Sequence, residues 1–455
     1  MSQPASSAAT AASPSAAPKP RIVVVGGGAG GLELVAALGR RLGRKSKADI
    51  MLVDRNSSHI WKPLLHEVAT GALDSSLDEV GYREHAHRFG YRYLFGEMSG
   101  LDREAKEVIV APTIDEDGEE IMAEQRIRYD YLVMAVGSVS NDFGTKGVAE
   151  HCIFLDRRQQ AERFRQKLLN LCVAASLKTQ ANPAEKPTVD VAIVGGGATG
   201  VELSAELRHA TDELRYYGLD NFDQSQLRTV LLEAGPRILP ALPERISNAA
   251  HEELENIGVK VLCNARVIEV TREGMKLADD GPFIEGDLKV WAAGVKAPEF
   301  LKDLGGLETT RGNLLVVEPT LRTTRDPAIF AIGDCAACPM PDDPERYVPP
   351  RAQAAHQMAE CLVKNLLREF EGKPLKPYKY TDFGALVNLS RFSTVGSLMG
   401  NLIGGSMKVE GRIARIMYIS LYRMHLSAVH GWFRAAVMTV VGHIARVVRP
   451  RVKLH

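Results

Sequence analysis

The chain repeats itself. Gly26–Leu34 reads GGGAGGLEL and Gly195–Leu203 reads GGGATGVEL, 169 residues apart, with seven of nine positions identical. Each copy follows a β-branched run, Ile22–Val25 in the first and Val189–Val194 in the second. Such runs suit a strand buried on both faces of a parallel sheet. Beyond the first copy Leu32, Val35, Leu38 and Leu42 recur at helical spacing, and beyond the second the pairs Val201/Ala205 and Leu203/Leu207 do the same. Strand, glycine turn and helix, twice over, is the context in which a G-x-G-x-x-G match carries weight.

Each glycine has a task. Gly26 permits the tight turn, Gly28 lets the backbone approach a pyrophosphate, and Gly31 allows the helix to pack closely on the strand. The helix N-terminus then offers free N–H groups and a positive dipole end to phosphates. Gly195, Gly197 and Gly200 repeat the arrangement. The fold class expected is α/β, with two Rossmann-like dinucleotide-binding domains and a C-terminal amphipathic-helical region. The second strand of each unit should end in an acid that binds ribose hydroxyls: Ile50–Val53 leads to Asp54, and Thr229–Leu232 leads to Glu233. A carboxylate at 233 repels a 2′-phosphate and so favours NADH over NADPH, unless Arg237 compensates. The plainer reading of either acid is a solvated strand end.

At 455 residues the chain exceeds one ordinary core. Asn313–Val317 and Ala328–Ile332 read as strands, the second running into Gly333-Asp334, and a helix is expected from about Ala352 to Phe370. Boundaries near 155, 310 and 380 divide the chain into a leader (1–20), a first domain in two parts (21–155 and 310–380), a second domain inserted between them (156–309) and a C-terminal region (381–455). The leader is Ala, Ser and Pro almost throughout, without a signal peptide's apolar core, and is expected to be disordered. No apolar run approaches eighteen residues, so no membrane-spanning helix is expected. Six cysteines are too scattered for a disulfide framework, which points to a reducing compartment.

A net charge of zero hides an asymmetry. Gly411–His455 holds seven arginines, one lysine and no acid, a tail of +8 on a body of −8. Within it Ile413, Met417, Leu421, Met424 and Ala428, and after a break at Gly431 Phe433, Val437, Val441, Ile444 and Val448, lie three or four apart among arginines. That is the pattern of amphipathic helices lying in an anionic lipid interface, with Trp432, Tyr418 and Tyr422 at headgroup depth. A dimer seam competes with this reading. A nucleic-acid arm is not supported, because no stacking module or base-reading motif accompanies it.

Tyr131–Gly137 (YLVMAVG) and Val290–Gly294 (VWAAG) resemble the strand-then-A-x-G crossings of the two-dinucleotide-binding-domain flavoproteins. Phe330–Asp334 (FAIGD) resembles their second FAD motif, whose Asp binds the ribityl or pyrophosphate part. The resemblance implies FAD at Gly26, Gly28, Ala29, Gly30, Gly31, Asp54, Arg55, Lys62, Gly137, Asp334, Ala355 and His356. It implies NADH at Gly195, Gly197, Gly200, Glu202, Glu233 and Gly294.

Disulfide reductases of this group place a C-x-x-x-x-C pair soon after the first turn, and Arg55–Thr70 contains no cysteine. That chemistry is excluded. Cys335 and Cys338 form a C-x-x-C that reads either as a redox pair near the flavin or as small packing residues, and is a poor zinc site. No metal is expected. Trp61–Ala69 (WKPLLHEVA) is similar to a segment of type II NADH dehydrogenases, the single-chain NADH:quinone oxidoreductases, and Ala352–Gln357 (AQAAHQ) matches their A-Q-x-A-x-Q signature. In that family the signature opens a helix facing the flavin pyrimidine, and its glutamines, here Gln353 and Gln357, border the quinone pocket. Four apart, the two also read as one polar helix face. The family's Glu between nicotinamide and flavin matches Glu202, which is otherwise a first-turn carboxylate like Glu33. His66 and His356 read as proton relays or as structural histidines.

The activity implied is oxidation of NADH through FAD with two-electron reduction of a membrane ubiquinone or menaquinone, by a peripheral protein on the cytoplasmic face of a bacterial inner membrane, with a homodimer left open. With no transmembrane relay, no proton pumping is expected. The alternatives are a sulfide:quinone oxidoreductase using Cys152 and Cys335, and an NADH-sensing flavoprotein resembling apoptosis-inducing factor.

Overall fold

Where the β-branched runs predict buried strands, the chain builds two parallel sheets. The computed structural model describes residues 19–74, 79–115, 117–214, 218–219, 221–389, 393–398 and 407–448. Most of the expected leader and the basic residues from Arg449 onward lie outside them, as do the side chains at 413, 417, 421, 444 and 448.

In chain order, β1 (Arg21–Val25), helix α1 (Ala29–Leu38), β2 (Asp49–Asp54), β3 (Arg92–Phe95) and β4 (Tyr131–Met134) begin the first unit. The second contains β5 (Ile153–Phe154), β6 (Val189–Val194), α2 (Ala198–Glu213), β7 (Leu227–Leu232), β8 (Val259–Leu262) and β9 (Leu288–Trp291). The chain then returns with β10 (Arg322–Thr323), β11 (Asp326–Ala331) and α3 (Ala352–Phe370). The first sheet runs β10-β11-β4-β1-β2-β3 and the second β5-β9-β6-β7-β8. Apart from β10 against β11, every pairing in them is parallel. One expected boundary moves: Ile153–Phe154, placed in the first unit by the division at 155, pairs with Val290–Trp291 of the second sheet.

The repeat is a repeat of backbone. Gly26 and Gly195 both take left-handed φ, +100° and +111°. Their N–H groups donate to Val53 and Leu232, the corresponding residues on the neighbouring strands, at 2.9 and 2.8 Å. A Cβ at Gly31 would stand 1.9 Å from the Gly26 carbonyl oxygen, and one at Gly200 would stand 2.0 Å from that of Gly195. Only glycine lets these helices sit so close to the strands that feed them.

The region after Tyr380 holds structure that the pattern did not disclose, an antiparallel sheet of β12 (Ala385–Leu389), β13 (Ser393–Leu398) and β14 (Met407–Glu410). Helices α4 (Gly411–His430) and α5 (Trp432–Val448) follow, broken at Gly431 with φ +85°. The end of α4 packs on protein: His425, Leu426 and Val429 are buried. Its last carbonyls are taken by the first unit, where His85 Nε2 lies 3.1 Å from Val429 O and Arg40 donates to Ala428 O at 3.3 Å. This part of the tail is therefore seated on the first unit. On α5, by contrast, Trp432, Phe433, Val437, Val440 and Val441 are exposed. Among the described residues no helix is long and apolar enough to cross a membrane.

Candidate functional site

The C-terminal ends of β1, β2, β4 and β11 open onto one cavity of about 790 Å³. Its wall contains Gly26, Gly28, Ala29, Gly30, Gly31, Asp54, Arg55, Lys62, Gly137, Asp334 and Ala355, all but one of the residues assigned to FAD. Crevices beyond the carboxyl ends of parallel strands are where open α/β sheets hold ligands. No side chain caps the N-terminus of α1 at Gly28 or that of α3 at Arg351, and both helix ends face the cavity. A Cβ on Gly28 would meet nothing within 4 Å, so the backbone lies open to a ligand there. This cradle, with a carboxyl group at either flank, fits a dinucleotide.

Asp54 organises the turn. Its Oδ2 accepts the Gly27 N–H at 2.6 Å and its Oδ1 accepts the Asn56 N–H at 2.7 Å. Burial raises its pKa, and these donors oppose the rise. Tyr82, which no motif marked, donates from its hydroxyl to Gly27 O at 2.7 Å. Burial holds that phenol well above its usual range, so it remains a donor. At the opposite flank Ser138 donates to Asp334 Oδ2 at 2.8 Å, while Lys62 Nζ reaches Ser138 O and Asp156 Oδ1 at 2.9 and 3.1 Å. Arg55 pairs with Glu97 at 2.8 Å. Ser138, Asp156 and Glu97 also line the cavity, and no sequence signal singled them out.

The second turn repeats the acid. Glu233 Oε2 accepts the Gly196 N–H and Oε1 the Gly235 N–H, both at 2.7 Å. Glu233 thus stands to Gly196 as Asp54 stands to Gly27. Arg237 donates to the carbonyls of Leu239, Pro240 and Leu242 and is held in its own loop, away from any compensating role. Gly195, Gly197, Gly200, Glu233 and Gly294 lie outside the cavity wall, whereas Ala198, Thr199 and Glu202 at the start of α2 are part of it. Glu202 therefore stands where the second turn meets the cavity.

His66 Nδ1 lies 3.6 Å from Glu202 Oε2, with both side chains buried. Burial lowers the His66 pKa to about 4, so at neutral pH this is a polar contact between a carboxyl group and a neutral imidazole. Three other assigned residues do not line this cavity. His356 is absent from the cavity wall, because the Glu33 carboxylate draws its Nδ1 to 2.5 Å. Gln353 and Gln357 are also outside the wall, their amides spent on the Thr381–Gly384 segment: Gln353 bonds Asp382, Phe383 N and Gly384 O, and Gln357 bonds the N and O of Thr381. The six cysteines are free. Cys152, Cys335 and Cys338 do not line the cavity, and burial pushes their thiols to about 12, 11 and 12, far from reactive thiolates.

Buried histidines make stability depend on acid. Burial lowers His66 and His85 to about 4 and shifts His59 and His430 in the same direction. An imidazole whose folded pKa is depressed stabilises the fold above its ordinary value of 6.5 and loses that contribution as pH falls. His356 acts oppositely: hydrogen bonding to Glu33 raises it, so its share is lost as pH rises. The four outweigh the one, at up to roughly 3 kcal/mol each for His66 and His85. Thermal midpoints should fall steeply between about pH 6.5 and 4. A His66→Asn variant should flatten that slope; melts with equal slopes for the two proteins would refute the assignment.

A family model for pyridine nucleotide-disulphide oxidoreductases matches residues 20–359. A type II NADH:quinone oxidoreductase of Haemophilus influenzae is 47% identical over 444 residues, covering 95% of this chain and 99% of the relative. The chain belongs to the type II NADH:quinone oxidoreductases. A member of this family from Mycobacterium tuberculosis is 27% identical, covering 89% of this chain and 84% of its own. Solved structures agree in fold. NDH2 from Plasmodium falciparum in complex with NADH aligns with a TM-score of 0.77 at 20% identity, over 96% of this chain and 100% of that one. A sulfide:quinone oxidoreductase from Aquifex aeolicus aligns at 0.69 and 17%, over 90% and 92%. Among the described residues no cysteine lines the cavity.

Proposed function

We propose that this enzyme holds FAD in the cavity, takes a hydride from NADH bound at the second glycine turn, and reduces a membrane quinone without moving protons across the bilayer. The observation that carries the reading is the duplicated turn, with Asp54 and Glu233 gripping equivalent backbone N–H groups and only the first turn opening fully onto the cavity. When bound, FAD supplies the chemistry that accepts a hydride and releases two electrons.

The chain's own residues place and stabilise. The N-termini of α1 and α2 bind pyrophosphates, and Asp54 and Glu233 hold ribose hydroxyls. Glu202, at the junction of the two sites, orients the nicotinamide. The uncapped N-terminus of α3 favours negative charge in the cavity. Gln353 and Gln357 act on the quinone site through the Thr381–Gly384 segment they fasten, which forms part of its border. The exposed apolar residues of α5, with exposed Arg434 among them, rest on an anionic lipid surface, the cytoplasmic face of a bacterial inner membrane.

Detergent-solubilised protein should oxidise NADH rapidly only when a short-chain ubiquinone or menaquinone is present. NADPH should be at least about 100-fold poorer, because a carboxylate meets its 2′-phosphate. Acid extraction should release FAD. Flavin reduction by NADH that no quinone accelerates would refute the quinone assignment.

A further inference from the structure

Four ionisable side chains from four distant parts of the chain form a continuous file outside the machinery described so far. Glu33, just past the first turn of α1, is 5% exposed, and its two carboxylate oxygens face different imidazoles. Oε2 lies 2.5 Å from His356 Nδ1 on α3, and Oε1 lies 2.7 Å from His425 Nδ1 on α4. The other nitrogen of His425, Nε2, is 3.0 Å from Nε2 of His59. His59 is part of the cavity wall, and the side chain of His356, 29% exposed, reaches solvent. Glu33, His425 and His59 are all buried. The file thus joins bulk water to the cavity through three short contacts.

A structural ion pair explains little of this. One carboxylate needs one imidazole, yet a second buried imidazole is added here and a third is placed against it, nitrogen to nitrogen. Burying polar rings is costly unless each nitrogen is met. The Trp61 ring, 4.0 Å centroid to centroid from His425, walls the file from the other side. His85 and His430 flank His59 and His425, with Arg40 and Glu84 beyond them, and Glu360 faces His356 at 3.8 Å. Among the described residues no three His, Cys, Asp or Glu side chains converge as a metal requires.

We infer that His356, Glu33, His425 and His59 conduct protons between solvent and the cavity. The inference rests on the quinone reading above, which supplies the need. NADH delivers two electrons and one proton as hydride, whereas a quinone becoming a hydroquinone takes two electrons and two protons. One proton per turnover must therefore come from the medium. A proton arriving on His356 passes from Nδ1 to Glu33, from Glu33 to Nδ1 of His425, from its Nε2 to His59, and from His59 into the cavity. With His425 protonated at Nε2 and bare at Nδ1, and His59 bare at Nε2, each link has a donor and an acceptor; a pass exchanges the tautomer of each ring, which must turn back before the next proton follows. Burial tends to raise the Glu33 pKa, but the hydrogen bonds and charges of His356 and His425 prevail and lower it, so the carboxylate stands ready to accept. These are relay residues, not catalytic ones.

The test compares two acceptors. Ferricyanide takes electrons without protons, whereas a short-chain quinone needs both. In Glu33→Gln and His425→Gln, NADH:ferricyanide turnover should stay within about twofold of the parent while NADH:quinone turnover falls at least about tenfold above pH 7. Equal losses with both acceptors would overturn the relay. A second readout needs no turnover: side-chain ¹⁵N titration of the histidines in the FAD-loaded protein. His356 should titrate above the ordinary imidazole range, held there by its hydrogen bond to Glu33, and Glu33→Gln should bring it down. A His356 that titrates at or below the ordinary imidazole range in the parent would overturn the file even if the variants prove hard to fold. Should the parent reduce ferricyanide but no quinone, the quinone assignment fails separately, and the titration still decides whether the file exists.

Discussion

Gly31→Ala is expected to yield protein without flavin, and Gly200→Ala protein that keeps its flavin but no longer takes electrons from NADH. The two substitutions add the same methyl group at equivalent points of the repeat. In each, the new carbon would stand about 2 Å from a backbone carbonyl oxygen, at 1.9 Å from Gly26 and 2.0 Å from Gly195. Neither oxygen belongs to a side chain that can swing away, so the turn must open. Opening it draws the helix N-terminus away from its phosphate. A loss of only about 3 kcal/mol there weakens binding about 100-fold. Flavin absorbance per polypeptide and single-turnover reduction by NADH separate the outcomes. If Gly200→Ala lost its flavin while Gly31→Ala kept it, the assignment of cofactors to the two turns would be reversed.

Glu233→Gln should raise the KM for NADH about 10- to 100-fold while leaving flavin content unchanged. Both carboxylate oxygens now accept backbone N–H groups at 2.7 Å, and an amide can offer only one oxygen. The other N–H would face an NH₂ group, and a lost hydrogen bond to a charged group is worth about 1.5–3 kcal/mol. The same substitution removes the charge that repels a 2′-phosphate, so preference for NADH over NADPH should shrink. Steady-state kinetics with both nucleotides test this; an unchanged KM for NADH would show that Glu233 supports neither turn nor ribose.

What could be read from residues alone followed from local spacing. Strand, turn and helix occupy contiguous residues, so both turns, both acids, the helix Ala352–Phe370 and the break at Gly431 were legible. The antiparallel sheet of Ala385–Leu389, Ser393–Leu398 and Met407–Glu410 was not, because its strands are short and its pairing is set by neighbours. Glu33 looked like an ordinary first-turn carboxylate, and the partner that explains it, His425, lies 392 residues away. Tyr82 belongs to no motif and earns its place only by reaching Gly27. Gln353 and Gln357 carried a family signature, yet the direction of their amides depends on the segment from Thr381 to Gly384, which no spacing rule predicts.

The way α4 is seated has a practical corollary for anyone hoping to free this enzyme from detergent. Cutting the chain before residue 411 discards the sticky surface of α5, but it also takes His425, Leu426 and Val429 out of the interior. Glu33 would lose one imidazole, Trp61 the ring packed beside it, and His85 and Arg40 the carbonyls they hold. Water would then reach the cavity from behind, past His59 and Trp61 in its wall. A shortened enzyme that dissolves well and turns over poorly would be reporting a breached wall, not a missing lipid.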